Sequence, residues 1–346
     1  MPTMTNRRVL LRSRPTGEPK LTDFEIADAP VPTAGDGEIL CRTIYLSLDP
    51  YMRGRMNDVK SYTAPVELGA PMVGGTVSEV VESRSPAFQR GDFALGYGGW
   101  QTYHIARPGG APGPFGPLKL DAKVAPISAA LGVLGMPGMT AYVGLLDFGQ
   151  PKPGETVVVS AAAGAVGSAV GQIARIKGCR AVGVAGAQTK CDYVVKELGF
   201  DACVSYRSPD LFAALKDACP KGIDVYFDNV GGDVLKTVLR LVNPFARVPL
   251  CGIISQYNAT EMPPGPNLGA VLVNRVTVRG FIVSDHADRM PAFLADCGGW
   301  VRGGRLKYRE DVVEGLDQAP RAFIGLLRGE NFGKRLIRVS PDPTRP

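Results

Sequence analysis

The sequence predicts an α/β chain in two parts, a mostly β domain followed by a doubly wound parallel sheet. Three observations predict it. A length of 346 residues suits about two domains. From Arg7 to about Val124, short strand-like runs are punctuated by Gly and Pro, with no sustained helical period. Beyond the turn PKPGE, strand-like and helical patterns alternate roughly every 20–30 residues.

In chain order, EILCRTIYLSL, VGGTVSEVVES and FALGYGGWQTYHIA read as strands of the first domain. APISAALGVLGMPGMTAYVGLLDFG then changes to helical spacing. Strands are expected to begin near Val157, Ala181, Ala202, Asp224, Ala246 and Val276. Most are separated by helical patterns such as KCDYVVKELG, DLFAALKDAC and DVLKTVLRLVN. Two βαβαβ halves require this series, hence a parallel sheet with helices on both faces. The tail offers a helix, GLDQAPRAFIGLLRG, and a strand, KRLIRV, expected to pack back on the first domain. The boundaries read are 1–124, completed by 305–346, and 125–304.

Composition excludes several classes. A hydrophobic share of 45% with 21% charged residues is that of a soluble globular chain with a proper core. The 43 Gly and 29 Pro imply many turns, below the level that marks disorder. A net charge of +6 is mild, and its scattered cations, Arg7, Arg8, Arg12 and Arg14 apart, read as a solvated surface rather than a nucleic-acid face. The cysteines, Cys41, Cys179, Cys191, Cys203, Cys219, Cys251 and Cys297, are odd in number and widely spaced. They suggest neither a disulfide framework nor a structural zinc site, and point to a reducing, cytoplasmic compartment. MPTMTNRRVLLRSRP lacks the apolar core of a signal peptide. The weakly polar run Thr156 to Ala174 approaches membrane-spanning length, but it is mostly small residues and contains a strand-to-turn switch, so no membrane span is read.

That switch, VVVSAAAGAVGS, carries the first functional signal. A β-branched run stops at Ser160, passes through three alanines, Gly164 and Gly167, and enters a helical pattern. The first strand-to-helix turn of a doubly wound sheet can hold a pyrophosphate on backbone N–H groups and the helix dipole, provided no large side chain intervenes. The usual Gly-x-Gly-x-x-Gly reads Ala162-Ala163-Gly164-Ala165-Val166-Gly167 here, with alanine at the first glycine. The strand RAVGVA then ends in Gly186-Ala187-Gln188-Thr189-Lys190. No acid stands there to grip a ribose 2′-hydroxyl, and a lysine would attract a 2′-phosphate, so the pattern favours NADP over NAD. Otherwise Lys190 is a solvated residue opening the next helix.

Seven motifs in this order resemble the zinc-independent medium-chain dehydrogenase/reductases: SLDPYMRGRM (47–56), GMPGMTAYVGL (135–145), AAAGAVG (161–167), DVYFDNVGG (224–232), CGIISQYN (251–258), RGFIV (279–283) and NFGK (331–334). Within them the chain resembles the leukotriene B4 12-hydroxydehydrogenase/prostaglandin reductase branch, with the alkenal double-bond reductases and bacterial curcumin reductases. The resemblance implies a GroES-like N-terminal domain, a Rossmann nucleotide-binding domain, a homodimer, and NADPH-dependent reduction of the conjugated double bond of enones or enals. It implies that Gly164, Ala165, Val166 and Gly167 form the pyrophosphate turn, with Gly186, Lys190 and Tyr206 around the 2′-phosphate. Further cofactor contacts are implied at Asn229, at Cys251, Gly252, Ile253, Ser255 and Tyr257, at Phe281, Ile282 and Val283, and at Asn331. Met139 and Thr140 would lie in a cleft between the domains. Gln188-Thr189 and Arg207-Ser208 depart from the family pattern around the phosphate.

Where the zinc-dependent relatives carry Gly-His-Glu, this chain reads GAPMVGGTVSEV (69–80), and its only histidines are His104 and His286. No ligand set for a catalytic metal is expected. His104 reads as a satisfied strand histidine, and Cys41 as core.

Hydride addition to the β-carbon of a conjugated carbonyl leaves negative charge on the oxygen, as an enolate that needs a hydrogen-bond donor. A tyrosine hydroxyl, with an ordinary pKa near 10, can donate while neutral. Tyr257 follows the strand reading ARVPLCG and is the catalytic candidate, with the cofactor ribose as relay; alternatively it only packs against the cofactor. Tyr51 and Tyr62 are candidates for the substrate lining, or else loop anchors, while Arg53 and Arg55 are expected to hold their loop through acids such as Asp49 or Asp58. The substrate ranges over short enals, diarylheptanoids such as curcumin and oxidised lipids. A quinone reductase of the same superfamily and a non-catalytic NADP-binding relative are the alternatives.

Overall fold

A computed structural model describes residues 5–109 and 117–345. Residues 1–4 of the stretch read for a leader, and 110–116 of the first domain span, lie outside the described residues.

The chain divides into two compact units, Met1–Gly135 with Glu310–Pro346, and Met136–Arg309. The first unit opens with an antiparallel pair, β1 (Thr5–Leu11) and β2 (Phe24–Pro30). Next come β3 (Ile39–Ser47), the short α1 (Tyr51–Arg55), β4 (Thr76–Ser83), β5 (Phe93–Gly96), β6 (Tyr103–Ala106) and β7 (Leu118–Leu120). β3 is almost wholly buried because it is central, with β4 on one side and both β6 and a strand from the chain's end on the other parts of its length. Trp100, with no exposed surface, stacks on Phe24 at 5.7 Å and meets Phe323 edge-on at 5.6 Å. Such aromatic pairs add to the burial energy of the rings themselves.

The second unit begins with α2 (Met136–Val143) and then alternates: β8 (Thr156–Ser160), α3 (Ala165–Ile176), β9 (Arg180–Ala185), α4 (Gln188–Lys196) and β10 (Ala202–Ser205). It continues with α5 (Leu211–Ala218), β11 (Ile223–Phe227), α6 (Gly232–Leu239), β12 (Val242–Leu250), α7 (Gly269–Val273), β13 (Thr277–Gly280) and α8 (Met290–Arg302). The strand order is β10-β9-β8-β11-β12-β13, and every pair is parallel. This is the doubly wound sheet expected from the alternation. β8, TVVVS, is buried along its whole length because helices cover both faces, which is why it reads as an unbroken apolar run. β12 starts four residues before the expected Ala246. Pro244 and Phe245, the latter at φ 65°, break its ladder with β11 and hide its first residues from a pattern search.

α3 packs tightly on the segments around it. A β-carbon on Gly171 would run into the ring of Phe200, and one on Gly167 into the Ala161 carbonyl. The chain closes with β14 (Glu310–Glu314), α9 (Ala319–Leu327) and β15 (Lys334–Arg338), β15 pairing antiparallel with β3. No helix among the described residues is long and apolar enough to cross a membrane.

Candidate functional site

The strand order reverses between β8 and β9 on one side and β11 on the other, so the turns after β8 and β11 lead away in opposite directions and leave a crevice at the strands' carboxyl ends. After β8, Ala161 takes a left-handed conformation (φ 53°), while Ala162 and Ala163 are buried beneath it. Gly164 caps α3 with extended backbone and no side-chain acceptor, so the first-turn amides of a twelve-residue helix have no capping side chain. Gly164, Ala165 and Val166 are only half-buried. The two glycines differ in purpose. A β-carbon on Gly164 would meet just the Ala161 oxygen, at 3.1 Å, whereas one on Gly167 would press on backbone atoms, Ala161 C at 2.8 Å and Ala162 Cα at 3.0 Å. Gly167 is thus demanded by the packing of the turn on itself, and Gly164 opens the turn outward.

The turn after β11 is held by Asp228. Its Oδ1 accepts the Tyr226 hydroxyl (2.8 Å), the Ser160 hydroxyl (3.2 Å) and the amides of Val230 (2.9 Å) and Gly231 (2.8 Å). Its Oδ2 is buried without a hydrogen-bond partner. Burial pushes this carboxyl above the usual range, against the pull of those donors. Asn229 is fixed in turn, its amide donating to Ser160 Oγ (2.9 Å) and its side chain to the Ser160 carbonyl (2.8 Å). The turns after β8 and β11 are one hydrogen-bonded unit.

The segment after β12 joins them. Cys251 and Gly252 donate backbone amides to the Asp228 carbonyl, and Ser255 Oγ donates to the Val230 carbonyl at 2.6 Å. Burial pushes the Cys251 thiol up to about 12. Ile253 precedes a short helical turn, Ile254–Gln256, which Tyr257 ends. Half-buried Tyr257 folds back over its own segment: a β-carbon on Gly252 would lie 3.2 Å from the Tyr257 hydroxyl and 3.4 Å from the Asn229 carbonyl. The structure therefore brings Tyr257 and Asn229 to one place.

At the ends of β9 and β10, Gly186 lies against Tyr206, whose hydroxyl would be 2.8 Å from a β-carbon there. Tyr206 is about half exposed, and its amide donates to the Ala185 carbonyl. Lys190 is half-buried in the first turn of α4. Phe281 packs its ring on Phe148 (5.1 Å) and Phe227 (6.2 Å), leaving Ile282 and Val283 half-buried beside it. Met139 has no exposed surface, and the Thr140 hydroxyl donates to the Met136 carbonyl at 2.7 Å.

In the first unit, the hydroxyls of Tyr51 and Tyr97 lie 2.8 Å apart. Burial pushes both phenols up, and Tyr62, itself exposed, is near enough to act electrostatically on each. Below Tyr51, Asp49 Oδ1 meets Lys334 Nζ at 2.5 Å and its other oxygen accepts the Ser47 hydroxyl. Lys334 also donates to the Leu48 carbonyl at 2.9 Å. Of the acids expected to hold this loop, Asp49 pairs with Lys334, while Arg53 donates to Asn57 and to the carbonyls of Pro15 and Gly17. Asn331 donates to the Gly333 carbonyl and shapes the turn into β15.

Sequence reasoning missed Asp228, Tyr97 and the Lys334–Asp49 pair. Only the first had a signal, as the acid preceding Asn229 in DVYFDNVGG. Among the described residues no three His, Cys, Asp or Glu side chains group to hold a metal ion.

Comparison with known proteins agrees with this geometry. Residues 7–112 match a family model described as the N-terminal domain of oxidoreductase, and 165–297 one described as zinc-binding dehydrogenase. The NADPH-dependent curcumin reductase of Escherichia coli K12 is 52% identical over 343 residues, covering 97% of this chain and 98% of its own. The NADP(+)-dependent 2-alkenal reductase of Nicotiana tabacum is 41% identical, covering 97% and 98%. The crystal structure of CurA from Vibrio vulnificus in complex with NADPH superposes with a TM-score of 0.91 at 48% identity, covering 97% of this chain and 100% of that one.

Proposed function

The chain belongs to the zinc-independent medium-chain dehydrogenase/reductases, in the curcumin reductase and prostaglandin reductase 1 branch, and from that premise we propose that it reduces the conjugated double bond of enones and enals with NADPH. Its first unit is GroES-like and its second a Rossmann nucleotide-binding fold. The observation that carries the reading is the uncapped N-terminus of α3, opened by Gly164 at the reversal of strand order, in a chain so similar to an NADPH-dependent reductase. Curcumin and 2-alkenals, named for two relatives, share a carbonyl conjugated to a carbon–carbon double bond.

The residues present fit the cofactor. Gly164 to Gly167 would take the diphosphate on backbone amides and the helix dipole. Lys190 and Tyr206 would meet the 2′-phosphate, and Asn229, Gly252 and Ser255 stand where the strand ends converge. When bound, NADPH supplies the hydride for the substrate's β-carbon. Tyr257 donates its hydroxyl hydrogen to the substrate oxygen as charge gathers there, a contribution of about 3–4 kcal/mol for an aimed donor in a dry site. Tyr51, whose hydroxyl is hydrogen-bonded to that of Tyr97, and Tyr62 are the proposed substrate-lining residues of the first unit.

The same reading makes the protein a cytoplasmic homodimer. Seven unpaired cysteines suit a reducing compartment. β13 is an edge strand with all four residues exposed, Val278 among them, and Leu272 and Val273 before it are exposed too, a template for pairing with a second copy.

The test is an acceptor panel. Purified protein, NADPH and an aliphatic enone should yield oxidised cofactor and the saturated ketone, identified by mass. Recovery of the allylic alcohol would overturn the double-bond assignment, and faster turnover of simple quinones would move the chain to the quinone reductases.

A further inference from the structure

We propose that the buried charge of Asp228 sets the preference of the second unit between the two redox forms of its cofactor, favouring cationic NADP+ over neutral NADPH, an inference that rests on the cofactor reading given above.

The strand order fixes where Asp228 lies relative to the dinucleotide. In the order β10-β9-β8-β11-β12-β13, the turn that would take the diphosphate follows β8. Lys190 and Tyr206, the candidates for the 2′-phosphate, follow β9 and β10. The adenosine half would thus run to that side, which leaves the ends of β11 and β12 to the nicotinamide half. Asp228 is the first residue after β11, and it accepts the hydroxyl of Ser160, the last residue of β8. It sits at the reversal of strand order itself, on the side left to the nicotinamide, with none of its surface exposed.

Its hydrogen bonds require an oxygen and not a charge. All four donors, the hydroxyls of Tyr226 and Ser160 and the amides of Val230 and Gly231, meet Oδ1. Oδ2 is buried with no partner. An asparagine would offer the same oxygen to the same donors and place an amide where Oδ2 lies, without the larger cost of burying a charge. Burial favours the neutral acid, but a carboxyl proton needs an acceptor and this side chain meets only donors. Four donors on one oxygen hold the anion. Each of them is neutral, so no ion pair cancels its field.

A nicotinamide ring is neutral when reduced and carries one positive charge once its hydride has left. A carboxylate shielded from water attracts that charge far more strongly than one in solution, and it has no comparable hold on the neutral ring. The same attraction eases departure of the hydride, because positive charge is already growing on the ring in the transition state.

The experiment measures three dissociation constants on the full-length protein and on Asp228→Asn. NADPH is followed by its fluorescence, and NADP+ and adenosine 2′,5′-bisphosphate, which lacks the nicotinamide half, by displacing it. The expected result is an NADP+ Kd about tenfold higher in the variant, the order of one unit-charge attraction in a partly buried site. The NADPH and bisphosphate values should stay nearly unchanged, and thermal unfolding should match or exceed that of the parent, since every donor keeps its acceptor. Equal weakening of NADP+ and NADPH, with or without the bisphosphate, makes Asp228 a structural residue and overturns the proposal. Three unchanged constants overturn it as well, and so does a variant that fails to fold, because the turn would then need more than the oxygen. If the parent binds none of the three ligands, the cofactor reading falls and the proposal with it; a parent that binds them all confines any failure to Asp228.

Discussion

Lys334 and Asp49 form an ion pair with almost no solvent access, joining β15 to the segment that leads into Tyr51. Burial pulls the Lys334 ammonium below the usual lysine range and the Asp49 carboxylate pulls it back. Lys334→Met leaves a buried carboxylate with only the Ser47 hydroxyl, so it should cost about 3–5 kcal/mol. Pairing it with Asp49→Asn removes both charges and should recover most of the loss. Urea midpoints of the three proteins check this; equal losses in the single and double variants would refute it.

The two glycines of the α3 turn should separate stability from binding. Gly167→Ala drives a methyl into backbone and should cost about 1–3 kcal/mol in thermal unfolding. Gly164→Ala meets a single oxygen at 3.1 Å and should unfold nearly as the parent does. It should nevertheless raise the NADPH Kd about tenfold by placing a methyl where the proposal puts the diphosphate.

Tyr257→Phe removes the proposed donor and keeps the ring. Loss of kcat by about a hundredfold with little change in NADPH binding is expected. Gly252→Ala, whose methyl crowds the Tyr257 hydroxyl at 3.2 Å, should reproduce part of that loss without touching the tyrosine. Unchanged turnover in both variants would remove Tyr257 from the mechanism.

Lys190→Ala should raise the KM for NADPH about tenfold, the order of one charge-assisted hydrogen bond, and leave the NADH value almost unaffected. Steady-state kinetics with both cofactors decide it. Equal effects would make the lysine a structural residue of α4.

His104 supplies a pH dependence. Burial pushes it down to about 4, while in the unfolded chain it titrates near 6.5. Between those values the unfolded state binds more protons, so stability falls as pH drops from about 6.5 to about 4. The loss is on the order of 3 kcal/mol. His104→Gln should flatten that slope relative to the parent in denaturant titrations across the same range.

The parallel sheet was legible because strands covered on both faces become runs such as Val157–Val159, and crossover helices space them evenly. The start of β12 was not, since Pro244 and Phe245 sit inside it. In the site, small residues at strand ends marked the turns at Gly164, Gly186 and Gly252, and the structure places each against or beside a named candidate. What escaped notice was pairing. Nothing in Asp49 points to a lysine 285 residues away, and Arg53 was the nearer cation. Asp228 escaped because a carboxylate that gathers four donors and one that faces water look alike in sequence. Tyr97 lies in a Gly-rich loop that has no period to read.

Phe200 fills the notch at Gly171, one turn further along α3 than the contact of Gly167 with Ala161. The helix is thus keyed at two successive turns, to the segment before β10 and to the turn after β8. On the proposed reading, a nucleotide at its tip meets a socket already cast, and the entropy of shaping that socket is spent when the chain folds rather than when the ligand lands.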